Sequence, residues 1–301
     1  MNNHNYGFIF NDIKIVDNMV VKKSKNQKGN DKISSEMDFY KFIITNNVKF
    51  PIPQISQLDY DKNMIVMEYL KDYEPLLNFF YKFEDNLLLK RILSLINELH
   101  CYKISVSKEK YLNNLSIEIN DKIKIRYNET NWNDIKYFNN IKTVNNVKIK
   151  DLDYYLSIIN YRILKIINQK STFEFCLIHG DIHLNNILIK NDNIRFIDPR
   201  GYFGKNKLYG VKEYDYAKLL FGITGYSFFD NMKINKLEVV DNNLNIQFID
   251  KYLKHLYSEE FNEMTKLLVL TIWLGNNSCF VNNEKKVMSL MIALYLCETF
   301  L

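Results

Sequence analysis

His179-Gly180-Asp181-Ile182-His183-Leu184-Asn185-Asn186, followed downstream by Ile197-Asp198, is the stretch on which the reading of this chain turns. An acid and an amide, Asp181 and Asn186, share one loop, and a second acid, Asp198, closes the strand that comes after it. Phosphoryl transfer needs such a set: its transition state is loose, so a protein mainly positions the hydroxyl, holds a divalent cation on the phosphates and neutralises charge. One carboxylate orients or deprotonates the nucleophile. An amide oxygen and a second carboxylate suit magnesium, which prefers hard oxygen ligands. Taken singly, HGD could be a tight turn and Asp198 a strand-end cap; the Asn spacing, the downstream Ile-Asp and the flanking strands together favour a site.

On either side of this loop the pattern is mixed. FCLIHGD enters it, and the short apolar runs NILIK and IRFID around Asn191-Asp192-Asn193 read as a hairpin. Near the start, GFIF, IKIV and MVVKK favour short strands separated by the turn-forming pairs Asn11-Asp12 and Asp17-Asn18. SKNQKGND then reads as a loop, and ISSEMDFYKFIITN as a helix with Ser34 at its N-cap. Pro51 and Pro53 break that pattern before two further strands, QISQLDY and NMIVMEYL. Beyond Glu74 the chain reads as mostly helical, with stripes at Leu87, Leu88, Ile92, Leu95, Ile96 and Leu99 and at Tyr155, Ile158, Ile159, Ile163 and Ile166. Residues 113–147, rich in Asn and Lys, read as an irregular or partly helical insert, and the chain from Glu213 onward as helices again.

With 301 residues and 47% hydrophobic composition, the chain can bury a core of one bilobal unit or two small domains. Lys+Arg 40 against Asp+Glu 35 gives a net charge of +5, with the two signs interspersed, so a nucleic-acid surface is not indicated. Arginines are few, which lends Arg200 interest. Cys101, Cys176, Cys279 and Cys297 stand far apart with no CxxC pair, which argues against zinc or redox motifs and is compatible with reduced thiols. No cationic start leads into an apolar run, and no apolar stretch reaches the ~18 residues that span a bilayer. A cytoplasmic location without membrane insertion is the expectation.

At His179 to Asn186 the chain resembles the aminoglycoside phosphotransferase and choline kinase superfamily, relatives of the protein kinases, whose catalytic loop reads H-G-D-x-x-x-x-N. The resemblance implies Asp181 as catalytic base or orienter, Asn186 and Asp198 as Mg²⁺ ligands and His179 as a brace; His183 falls where many members also carry His. It also implies a strand lysine paired with a helix glutamate on the nucleotide phosphates. In Met19-Val20-Val21-Lys22-Lys23, Lys22 aligns with the lysine of the kinase V-A-I-K strand, strand alternation lets only one of Lys22 and Lys23 point inward, and Glu36 is the natural partner. Met67, Glu68, Tyr69 and Leu70 would form a hinge gripping the purine of ATP or GTP. Asp215, in Glu213-Tyr214-Asp215-Tyr216-Ala217-Lys218-Leu219, would cap its helix and accept hydrogen bonds from the catalytic loop, with His100 a packed or capping residue. The implied fold is α+β and bilobal, protein-kinase-like: a small antiparallel-sheet N-lobe over residues 1–70 and a larger, mainly helical C-lobe over 71–301 that carries the catalytic loop and acceptor pocket.

Departures from that pattern narrow the function. No glycine-rich loop precedes Lys22, so triphosphate cover falls to a turn near Asn11-Asp12 or Asp17-Asn18, and the protein-kinase alternative also lacks an Ala-Pro-Glu segment. A catalytically silent nucleotide-binding module has no catalytic reason to keep Asp181, Asn186 and Asp198. The continuation Asp198-Pro199-Arg200-Gly201 looks most like kinase-like proteins of bacterial surface-polysaccharide gene sets, which moves the expected small-molecule hydroxyl acceptor toward a sugar. Arg200 is read either as a phosphate or carboxylate binder or as an ion-pair partner of Asp215 or Glu213. The final stretch, residues 282–301, offers only the carboxylates Glu284 and Glu298, which disfavours a polycationic acceptor. Tyr226, Phe228, Phe229, Trp273 and Tyr295 could cage choline or stack on a sugar, with Asn276, Asn277 and Ser278 for its hydroxyls, or could simply be core.

Overall fold

Strand β1 (Asn11–Val16) turns back on β2 (Met19–Ser24) through Asp17 and Asn18, both at positive φ of 49° and 61°. Two successive left-handed residues are what a two-residue hairpin matched to strand twist requires, and Asp and Asn tolerate them best after glycine. The computed structural model describes residues 10–83, 86–135 and 137–301. Asn11 and Asp12 belong to β1 and not to a turn, a correction to the sequence reading; most of GFIF lies outside the described residues.

Helix α1 (Gln27–Thr45) starts well before Ser34, because the Asn26 side chain caps it by accepting the Gly29 N–H at 2.8 Å. Its polar first turns lie outward, while Ile33, Glu36, Met37, Tyr40 and Ile43 face inward and are buried. β3 (Ile55–Asp59) and β4 (Met64–Glu68) complete an antiparallel sheet in the order β1-β2-β4-β3. In its register Lys22 lies between Ile13 and Ile65, and alternation buries it while Lys23 stays exposed.

The chain divides into two compact units: Met1–Val106 with Glu174–Leu219, and Ser107–Phe173 with Leu220–Leu301. Besides the sheet and α1, the first contains β5 (Glu74–Pro75), α2 (Asn86–His100), β6 (Lys103–Ser105), β7 (Glu174–Leu177), the hairpin β8 (Ile187–Lys190) and β9 (Asn193–Phe196), β10 (Tyr209–Gly210) and most of α3 (Lys212–Phe221). β5 adds to the hairpin, and β6 and β10 flank β7. Phe39 of α1, Phe50 and Phe196 of β9 pack around the His179 ring, with Phe50 stacked on Phe196 at 4.4 Å between centroids.

The second unit is built on the helices Leu152–Asn168, Glu263–Leu274 and Asn283–Phe300. Tyr155, Ile159, Ile163 and Ile167 are buried, so the helical stripe is a core stripe. Val239–Val240, Asn243–Leu244, Thr143–Val144 and Val147–Lys148 form a small sheet where helix or irregular insert was expected. Asn145-Asn146 and Asp241-Asn242 make its hairpin turns, all four at positive φ as at Asp17-Asn18. No helix among the described residues is long and apolar enough to cross a membrane.

Candidate active site

All of the polar residues singled out around the loop and strands fall in the first unit. Lys22, 4% exposed, reaches Glu36 Oε2 at 2.7 Å and Asp198 Oδ1 at 2.9 Å. Burial alone acts to lower a lysine pKa; here the Asp198 and Glu36 carboxylates outweigh it and hold the ammonium above its ordinary value. The sheet, α1 and the end of β9 thus converge on one charged nitrogen. Glu36 is buried with Lys22, whereas the Asp198 side chain is 46% exposed and open to a further partner.

The hairpin brings Asn186 and Asp198 to one end. Ile187 pairs with Phe196, the Ile197 N–H donates to the Asn186 carbonyl at 3.0 Å, and Asp198 follows with φ 57°. The Asn186 amide nitrogen donates to the Asp181 carbonyl at 2.9 Å, which commits the nitrogen to the loop and turns the amide oxygen away from it. One amide oxygen and one half-exposed carboxylate are hard donors of the kind magnesium takes when substrate phosphates complete its shell. The described residues contain no group of three or more His, Cys, Asp or Glu able to hold a metal alone, so this pair fits a cation that arrives with phosphates.

His179 is fully buried and braces the loop. Its Nδ1 accepts the Asp181 N–H at 3.2 Å, so the proton sits on Nε2, which donates to the Ile197 carbonyl at 3.1 Å. Burial among the aromatic rings holds its pKa below the usual value. Asp215 lies inside α3, not at its cap, and is fully buried. Its carboxylate accepts the His179 and Gly180 N–H groups at 3.0 and 2.6 Å and meets His100 Nε2 at 3.1 Å. Arg200 donates to the Tyr214 hydroxyl at 2.7 Å and lies over the Tyr202 ring at 3.9 Å. Gly201 follows at φ +65°, and a Cβ there would meet the Ser35 carbonyl oxygen of α1 at 2.4 Å.

In the proposed hinge the Glu68 and Tyr69 N–H groups are spent on the Gln54 and Asn18 carbonyls, at 2.9 and 3.1 Å. The Tyr69 carbonyl accepts from Lys71 at 2.8 Å. With Asn11 and Asp12 in a strand, Asp17-Asn18 is the remaining turn of the two suggested for phosphate cover, and it is tied to Tyr69. Within the second unit, Trp273 and Phe229 are fully buried, Tyr226 stacks on Phe221, and the Tyr295 hydroxyl donates to Asp250. Asn276 donates to Ser289 and Asn277 to the Arg126 carbonyl and Thr130. Trp273, Phe229, Tyr295, Asn276 and Asn277 are buried in that unit, whereas Tyr226 is half-buried and Phe228 exposed.

Lys218 was missed as a site residue. Its ammonium lies 2.8 Å from Asp181 Oδ1, while His183 Nε2 is 3.8 Å from Oδ2 and the Asn186 amide nitrogen 3.4 Å. Burial would raise the Asp181 pKa, but Lys218 and His183 together hold it well below the usual carboxylate range. The available signal was spacing: Asp215 and Lys218 are three apart on a helix and so share a face.

No protein-family model and no curated protein matches the chain. Solved structures do. The ADP-bound aminoglycoside phosphotransferase APH(2'')-Ib is similar with a TM-score of 0.55 at 16% identity, over 97% of this chain and 91% of that one. Glucosamine kinase in complex with glucosamine, ADP and inorganic phosphate is similar at 0.50 and 10% identity, over 96% and 78%. Choline kinase LicA from Streptococcus pneumoniae is similar at 0.51 and 12% identity, over 96% and 90%. With its antiparallel N-terminal sheet, its helical remainder and these neighbours, the chain has a kinase-like α+β fold, shared with an aminoglycoside phosphotransferase and a choline kinase.

Proposed function

We propose that the chain is a phosphotransferase that moves the γ-phosphoryl group of ATP, or GTP, onto a hydroxyl of a small molecule, a sugar or an amino alcohol. The observation that carries this reading is the gathering, within one compact unit, of Lys22, Glu36 and Asp198 on one side and Asp181 and Asn186 on the other. Proteins of this fold include a glucosamine kinase crystallised with glucosamine and ADP, a choline kinase and an ADP-bound aminoglycoside phosphotransferase. The Asp198-Pro199-Arg200-Gly201 form favours the sugar among these.

Each residue then has one task. Glu36 keeps the Lys22 ammonium aimed while phosphate oxygens take the place of Asp198 beside it. Asn186, through its amide oxygen, and Asp198 would hold Mg²⁺, which when bound neutralises phosphate charge and fixes the γ-phosphoryl group. Asp181 accepts a hydrogen bond from the acceptor hydroxyl. The acceptor oxygen bonds to the γ-phosphorus, the bond to the bridging oxygen breaks with its electrons leaving on the nucleoside diphosphate, and the acceptor proton passes to Asp181 and on to solvent. Held ionised, Asp181 is a weak base, which suits a loose transition state in which the proton leaves late. Of the four hinge residues, the Leu70 N–H and the Glu68 carbonyl are offered to the purine, since Met67 is paired with Val20 in the sheet.

A phosphate-transfer screen over sugars, amino alcohols, nucleosides and aminoglycosides with ATP and GTP tests the reading. Acceptor-dependent release of nucleoside diphosphate supports it. No transfer to any class, together with no calorimetric binding of either Mg-nucleotide, removes it.

A further inference from the structure

Asp181 does not stand alone with Asn186. Helix α3 reaches the catalytic loop twice from one face: Asp215 ties down the His179 and Gly180 N–H groups, and Lys218, three residues on, places its ammonium 2.8 Å from Asp181 Oδ1. The lysine side chain is 15% exposed, so its charge acts in a poorly solvated setting. The partner it has chosen is the carboxylate that an acceptor hydroxyl must also use. A hydroxyl hydrogen-bonded to the same carboxylate oxygen at about 2.7 Å lies within about 5.5 Å of the ammonium, and the flexible lysine stem can carry the ammonium toward a phosphoryl group attacked by that hydroxyl. Lys22 already faces the Asp198 side, where Asp198 and Glu36 share it. Lys218 is its counterpart on the acceptor side.

Resting on the kinase reading above, we infer that Lys218 is a second catalytic lysine: its ammonium fixes Asp181 for the acceptor hydroxyl and then hydrogen-bonds the phosphoryl group in transit. As the acceptor oxygen bonds to phosphorus and the bridging P–O bond breaks, negative charge spreads over the three equatorial oxygens. An ammonium with three rotatable N–H donors on a flexible stem can follow that charge, and its aid is given to the transition state more than to bound nucleotide. The acceptor proton goes to Asp181 and the electron pair of the broken bond to the nucleoside diphosphate, so Lys218 keeps its own proton throughout.

The test uses the full chain, MgATP or MgGTP, and the acceptor found in the transfer screen. Lys218→Met should lower kcat by about 10²-fold or more, with calorimetric Mg-nucleotide affinity and thermal midpoint within twofold and a few degrees of the parent. Lys218→Cys should be equally slow and regain at least tenfold in kcat when alkylated with bromoethylamine, which rebuilds a side chain ending in an ammonium. A purely structural ion pair predicts the opposite split, a lowered melting temperature with kcat of the folded fraction retained. Parent-like kcat in a folded Lys218→Met protein, or a folded, alkylated Lys218→Cys protein without recovery, overturns the role of Lys218 and leaves the kinase reading standing. A parent protein that neither binds Mg-nucleotide nor transfers phosphate overturns both, and is recognised before any variant is made.

Discussion

The ammonium nitrogen of Lys22 lies 2.9 Å from Oδ1 of Asp198, although 176 positions separate the two residues in the chain. The contact joins the N-terminal sheet to the end of the β8–β9 hairpin. Glu36 makes it stiff, since it holds the same nitrogen from α1 at 2.7 Å.

Removing the cation from this group should be costly because Glu36 is left buried without a counter-charge. Lys22→Met is expected to lose about 3–5 kcal/mol of unfolding free energy. Adding Glu36→Met should restore most of that, since Asp198 is half exposed and can be solvated. Urea titrations of the parent, the two single variants and the double variant measure the cycle; additive losses in the double variant would contradict the coupling.

Asp181→Asn keeps the shape of the side chain but cannot take the acceptor proton. Turnover should fall by about 10²–10⁴-fold with Mg-nucleotide affinity nearly unchanged, read by steady-state assay and calorimetry. Unaltered turnover would remove Asp181 from the mechanism.

Asp198→Ala separates the other way. Loss of one charge-assisted partner of roughly 1.5 kcal/mol or more corresponds to at least about a tenfold weaker Mg-nucleotide affinity. Without Mg²⁺, the parent and variant should bind free nucleotide much more alike. An equal Mg-nucleotide affinity in the two proteins is the result that speaks against Asp198 as a metal ligand.

His179 gives a pH dependence whose sign follows from burial. Its folded-state pKa is lowered from the ordinary 6.5, the aromatic surroundings outweighing the pull of Asp215, Asp181 and Asp198. The unfolded chain therefore takes up the proton more readily, so the stabilisation is complete above about 6.5 and is lost as pH falls through that value toward the lowered one. Unfolding midpoints measured between pH 7.5 and pH 5 should drop more steeply for the parent than for His179→Gln. Parallel slopes would mean that the ring is not held neutral.

Gly201→Ala tests the packing of α1 against the turn after Asp198. The site needs a left-handed backbone, and its Cβ would collide with backbone, the Ser35 carbonyl oxygen at 2.4 Å, which no side-chain rotation relieves. A loss of about 2–5 kcal/mol is expected from the conformational and steric costs together. A denaturant midpoint close to that of the parent would show that the turn yields.

The kinase-like α+β class came from the resemblance of the loop from His179 to Asn186 to a known family, while local spacing in the amino-acid sequence was enough to define that loop, the hairpin that carries Asp198 and the burial of one of the two lysines Lys22 and Lys23. Those features depend on residues a few positions apart, where backbone geometry leaves little freedom: strand alternation must bury one lysine of two, and a hairpin register must set Asn186 opposite Ile197. The tertiary structure alone decided that Lys218 meets Asp181, that Asp215 lies within α3 and not at its cap, and that Arg200 rests on Tyr202 and Tyr214. In a chain so rich in lysine and asparagine, one Lys or one Asn-Asn pair looks like another until packing selects it. That is why Lys218 and the hairpin at Asn145-Asn146 emerge only when distant segments dock, and why their energy resides in desolvation and charge that no short window of residues contains.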